Sequence, residues 1–125
     1  MLAVCQESGI ENASVPRIAS GFGGGIGGTG AVCGAVVGAV MAIGLKRGRE
    51  APSEDRFGTW TLVQEFRRRF EAEMKAICCH ELTGMDLSTE EGRKQFWSSG
   101  VPMRVCLPSA GTACRLALEL LEEPS

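Results

Sequence analysis

Phe57-Gly58-Thr59-Trp60-Thr61-Leu62-Val63-Gln64-Glu65-Phe66-Arg67-Arg68-Arg69-Phe70-Glu71-Ala72-Glu73-Met74-Lys75-Ala76-Ile77 is the stretch that decides the fold class. Its large apolar residues, Phe57, Trp60, Val63, Phe66, Phe70, Met74 and Ile77, recur every three or four positions, the spacing of one face of an amphipathic helix. Charge fills the other positions. Arg67 to Arg69 stand among Glu65, Glu71 and Glu73, so they read as a solvated helix face and not as a nucleic-acid contact.

Upstream, Gly48 to Asp55 is a polar connection containing Pro52. Before it, Ala31 to Gly44 is continuously apolar and rich in small residues, with Gly34 and Gly38 four apart on one helical face. That run predicts a buried helix, ended by Gly44 or Gly48 with Lys46 and Arg47 suited to its C-terminal dipole. It is about five residues short of a membrane span. Residues 2–8 predict the end of a short opening helix closed by Gly9, whose first turns lie upstream of Met1. Another short helix starts around Ser14, with Pro16 in its first turn.

Downstream, Cys78 to Gly84 predicts a short helical turn. Ser88 with Glu91 has the form of a capping box and opens a helix over Glu90 to Trp97. Gly100 and Pro102 should break it, and Ser109 to Glu122 predicts a last amphipathic helix. No segment alternates as a strand does. The expectation is an all-α fold over residues 1–125, a compact single domain of five or six helices with a glycine-rich loop before the buried apolar helix.

A chain of 125 residues suits one domain with one core. Thirteen basic against fifteen acidic residues create no strong net field, so neither nucleic acid nor a membrane is expected as a partner. The start lacks the basic and apolar regions of a secretory signal. A reducing, cytoplasmic setting is therefore expected, where clustered thiols serve as ligands or redox groups more often than as crosslinks.

Six cysteines stand at 5, 33, 78, 79, 106 and 114, with no CxxC pair among them. Cys33, Cys79 and Cys106 lie near helix ends or loops, where side chains from separate elements converge. Cys114, in an apolar helix interior, reads as core, and Cys5 is open to either reading. Adjacent residues on a helix point about 100° apart, so only one of Cys78 and Cys79 faces a given site, and Cys79 is preferred. His80 is the single histidine and reads as a surface or capping residue before a ligand. With one histidine, hydrolase triads have little support.

The stretch Gly21-Phe22-Gly23-Gly24-Gly25-Ile26-Gly27-Gly28-Thr29-Gly30 cannot hold a stable helix. Gly23, Gly25 and Gly28 satisfy G-x-G-x-x-G, but no strand precedes them and no Gly-Lys-Ser/Thr follows, so nucleotide loops are not supported. Two readings remain. The glycines permit close helix packing, or the amides around Gly24, Gly25, Gly27 and Gly28, before a helix with Cys33 in its first turn, make a nest for a thiolate, a sulfide-bearing cluster or a phosphate.

Gly21-Phe22-Gly23-Gly24-Gly25-Ile26-Gly27, Cys33-Gly34-Ala35-Val36-Val37-Gly38-Ala39, Leu45-Lys46-Arg47-Gly48, Phe66 to Phe70, Cys79-His80-Glu81-Leu82-Thr83-Gly84 and Cys106, in that order, resemble the C_GCAxxG_C_C family over nearly the whole chain. The resemblance implies a small, mostly helical protein with a presumed redox or metal role and no established reaction. It implies family cysteines at Cys33, Cys79 and Cys106, and an oxidoreductase or transport-associated protein as partner. The family's first cysteine falls before the region matching Met1-Leu2-Ala3-Val4, so either the numbering starts at an internal methionine or this protein has only three, and Cys5 does not inherit its place. A related module in the split-Soret type of cytochrome carries an iron–sulfur cluster, which makes such a cluster the expected cofactor, with zinc the alternative.

Three functions compete at this point. One is a redox protein with Cys33, Cys79 and Cys106 binding a cluster or metal. A second is a metal-free thiol–disulfide carrier using the same residues. The third is a non-catalytic helical module that associates through its small-residue face. A homodimer is the default assembly.

Overall fold

The computed structural model describes residues 1–123. Its elements, in chain order, are α1 (Leu2–Glu7), a 3-10 helix (Arg17–Phe22), α2 (Gly34–Arg47), α3 (Phe57–Met74), α4 (Cys79–Thr83), α5 (Glu90–Ser98), a π-helical segment (Pro102–Cys106) and α6 (Leu107–Glu122). The π segment runs directly into α6, so the described residues form seven separate helices, more than the five or six expected. The added count comes from tight single-turn elements that hydrophobic periodicity does not reveal. No helix among the described residues is long and apolar enough to cross a membrane.

Helices α2 and α6 form the central pair, and α1 and α3 pack against both. The core joins Val36, Ala39, Ala42 and Ile43 of α2 to Phe66 and Phe70 of α3 and to Ala113, Leu116, Ala117, Leu120 and Leu121 of α6. Phe66 and Phe70 are fully buried and stacked, with ring centroids 6.0 Å apart. Each contributes about 1.5–3 kcal/mol by leaving water. Cys5 sits in this core at 2% exposure, a structural position. A second, smaller cluster of Cys79, Leu87 and Phe96, with Met85, Val101 and Cys106 against it, lies beside the first.

Several local expectations are corrected. Helix α2 is buried along one face, at Val36, Gly38, Ala39, Ala42 and Ile43, and not all round; Leu45 on its other side is exposed. Gly38 allows α1 to approach, since a Cβ there would stand 2.9 Å from the Met1 nitrogen. Helix α3 stops at Met74, three residues early, because Lys75 takes the left-handed conformation and its N–H closes onto the Glu71 carbonyl. Thr89, not Ser88, caps α5: its hydroxyl accepts from the Gly92 N–H, while Ser88 is drawn into a turn by Asp86. Pro102 does not end the helical path. It opens the π segment, where its missing N–H has no helical acceptor to lose.

Candidate functional site: a cysteine-lined cavity

The chain between α2 and the glycine stretch is pinned to the chain between α3 and α4 by one antiparallel bridge, Val32 opposite Cys78. The Cys33 N–H donates to the Ile77 carbonyl at 2.7 Å, and the Cys79 N–H donates to the Ala31 carbonyl at 2.7 Å. Successive residues of extended chain point to opposite sides, so Cys33 and Cys79 share one side and Val32 and Cys78 the other. The choice of Cys79 over Cys78 therefore rests on strand-like alternation, since Cys78 is extended and precedes α4. Cys33 is likewise the residue before α2, not a member of its first turn.

Cys33, Cys79 and Cys106 line one mainly apolar cavity of about 660 Å³. Gly23, Gly24, Gly25, Gly27 and Gly28 form one wall, Gly34 and Ala35 the start of α2, and Leu87, Arg93, Phe96, Trp97 and Ala110 the opposite side. Cys5, Cys78, Cys114 and His80 are not part of it, and His80 is exposed. All six cysteines are free. The sequence reading did not single out Arg93, Phe96 and Trp97. Their i, i+3, i+4 spacing on α5 was the available signal.

The glycine wall is a chain of tight turns, with Gly21 and Phe22 still in the 3-10 helix. Gly24, Gly25, Gly27, Gly28 and Gly30 all have positive φ. Gly25 decides the packing. A Cβ there would stand 2.6 Å from both the nitrogen and the oxygen of Ala31, and 2.7 Å from the Cys79 Cβ. The loop's amides are largely occupied: Gly27 donates to the Gly21 carbonyl at 2.8 Å, Gly28 to Gly23 at 3.0 Å, Gly30 to Gly24 at 3.1 Å and Ala31 to Gly25 at 3.0 Å. The donor role expected of Gly27 and Gly28 is corrected accordingly. Among the four named glycines, only the Gly24 and Gly25 amides donate to no backbone carbonyl.

Burial pushes the Cys79 thiol up from its ordinary value of 9.0, the nearby Cys33 thiol adds to the rise, and the Thr83 hydroxyl opposes it. Burial likewise raises Cys106, with Cys79 and Cys33 contributing. An unfolded thiol ionises near 9, whereas these folded ones hold their protons to higher pH. Their contribution to stability is thus complete below pH 9 and is lost as pH rises through the folded values. The chain has no tyrosine to titrate in the same range. Thermal denaturation at about pH 8 and about pH 10.5 is expected to show a fall in Tm that is smaller in a Cys79→Ala/Cys106→Ala variant. An equal fall in both proteins would contradict the assignment.

Among the described residues, no three His, Cys, Asp or Glu side chains stand close enough to hold one metal ion as they are placed. A single zinc ion requires ligands that converge tetrahedrally on one point. An iron–sulfur cluster asks for something else. Its thiolates bind separate irons, so it does not require the three cavity cysteines to converge on one point. The apolar lining suits a sulfide-bearing group equally well.

No curated protein and no solved structure matches the chain. The family model described as "Putative redox-active protein (C_GCAxxG_C_C)" matches residues 1–120. With the cysteine and glycine motifs gathered on one cavity within that span, the chain belongs to the C_GCAxxG_C_C family.

Proposed function

We propose that the cavity binds an iron–sulfur cluster through Cys33, Cys79 and Cys106, and that the protein carries single electrons. The observation that carries this reading is the meeting, in one apolar cavity, of three thiols separated by 46 and 27 positions in the chain. Bound there, a cluster supplies reversible one-electron chemistry. Cys33 and Cys79 are held by the Val32–Cys78 bridge, and Cys106 by the junction of the π segment with α6. The free amides of Gly24 and Gly25, with those at the start of α2, favour negative charge in the cavity, and Phe96 and Leu87 limit water on the opposite side.

The metal-free thiol carrier is less well supported. In it Cys33 is the attacking thiol and Cys79 or Cys106 the resolving one, and burial holds both candidate resolving thiols protonated to higher pH, which slows their attack. Alkylation followed by mass spectrometry tests the ligand set. After reconstitution with iron and sulfide, Cys33, Cys79 and Cys106 are expected to be protected relative to the iron-free protein, and the accessibility of Cys78 and Cys114 to be unchanged. Protection of Cys78 in place of Cys79 would overturn the reading.

A further inference from the structure

The cavity holds more than its thiols need. At about 660 Å³ it falls among the pockets that take organic ligands, about 300–1000 Å³, and an iron–sulfur core of a few atoms fills only part of it. Arg93, Phe96 and Trp97, at i, i+3 and i+4 on α5, line it together and ligate nothing in the cluster reading.

Arg93 is the one charged side chain among the lining residues. Its Nε donates to the Leu87 carbonyl at 2.9 Å and its Nη2 to the Ser88 carbonyl at 3.4 Å, which ties the guanidinium to the loop ahead of α5. No carboxylate among the described residues pairs with it, and its Nη1 has no acceptor there. The acidic residues of α5 are engaged elsewhere: Glu90 meets Lys94 at 3.5 Å, and Glu91 lines a separate, smaller cavity with Asp86. A guanidinium held by neutral carbonyls keeps its charge and the N–H groups of Nη1, which suit a carboxylate.

Trp97 supplies an aromatic face. Its side chain is 74% exposed although it lines the cavity, and it meets the buried Phe96 edge-on, with ring centroids 5.2 Å apart and planes at 74°. The indole is thus anchored on one neighbour and otherwise open to water, free to stack on a second ring. With most of the remaining lining apolar, the recognised chemistry is a flat aromatic ring carrying one negative group.

We propose that the α5 side of the cavity is a binding site for a planar aromatic acid, with its ring on Trp97 and its carboxylate on Arg93. The site goes beyond the cluster reading and does not rest on it, since it uses none of the three thiols and leaves room for both occupants.

The test compares 2-naphthoate with its uncharged counterpart 2-naphthalenemethanol. Binding is measured by equilibrium dialysis on iron-free protein and on protein reconstituted with iron and sulfide, and the indole N–H signal of Trp97 is followed by NMR in the iron-free form. Trp60→Phe assigns that signal, because Trp60 lines a different cavity, with Val40 and Thr59. The acid is expected to bind about tenfold more tightly than the alcohol and to shift the Trp97 signal. Arg93→Gln should remove that advantage and leave the Kd of the alcohol unchanged, which verifies in the same variant that the cavity is intact. Trp97→Ala should weaken acid and alcohol alike, about fivefold. Should Arg93→Gln fail to fold, Arg93→Lys, which keeps the charge and loses the planar fork, takes its place and is expected to weaken the acid alone. Equal affinity for acid and alcohol, an advantage that survives Arg93→Gln, a Trp97 signal that does not move, or acid binding lost on iron loading would overturn the proposal. Iron content of the same samples is a separate reading: acid binding by protein that takes up no iron supports this site and sinks the cluster, whereas iron without acid binding overturns this inference alone.

Discussion

Gly25→Ala is expected to cost about 3 kcal/mol of stability and to abolish binding of the proposed cluster. Two penalties add. Gly25 has φ +72, where a Cβ costs about 1–2 kcal/mol, and that Cβ would overlap the Ala31 backbone and the Cys79 Cβ in a buried turn, for about 1–3 kcal/mol more. Relief of the overlap requires the glycine wall to move away from the Ala31–Cys79 hydrogen bond that helps to set the direction of Cys79. Stability and cofactor binding should therefore fall together. Gly21→Ala is the control: Gly21 lies in the 3-10 helix with nothing within 4 Å of an added Cβ, so its cost should stay within about 0.5 kcal/mol. Urea denaturation of the two variants decides the matter, and a loss below about 1 kcal/mol for Gly25→Ala would show that the loop yields easily.

Single replacement of Cys33, Cys79 or Cys106 by serine is expected to reduce bound iron to less than about a tenth. Replacement of Cys5, Cys78 or Cys114 should leave most of it. The contrast follows from placement: Cys5 belongs to the main core, Cys78 lies on the far side of the bridge from Cys79, and Cys114 packs against the core two turns along α6 from Cys106. Cys5→Ser puts a hydroxyl into a fully packed site and should lower Tm while sparing the iron. If Cys78→Ser or Cys114→Ser removed the iron, the ligand assignment would be wrong.

The helical class was legible because the three- and four-residue spacing in 57–77 reports burial of one face, and Phe66 and Phe70 are the buried pair of that helix. The three cavity cysteines were legible from their positions at element ends, together with the family motifs. What lay beyond reach was tertiary. Nothing local in Ala31-Val32-Cys33 or Ile77-Cys78-Cys79 announces that the two segments pair, yet this contact orients two of the three thiols. The glycines misled in a specific way: their freedom to take positive φ closes the loop on itself, so the Gly27 and Gly28 amides, two of the four that the nest would present, already have partners. Pro102 misled too, because a proline that stops one helix can begin the next.

The central claim is that Cys33, Cys79 and Cys106 form an iron–sulfur site, and the most direct measurement is the iron, acid-labile sulfide and visible absorption of the protein purified without oxygen. Iron and sulfide in equal amounts, with a visible absorption that bleaches on reduction by dithionite, are the predicted result. Protein that remains colourless and free of both after reconstitution with iron and sulfide, or that takes up zinc in their place, would contradict the account.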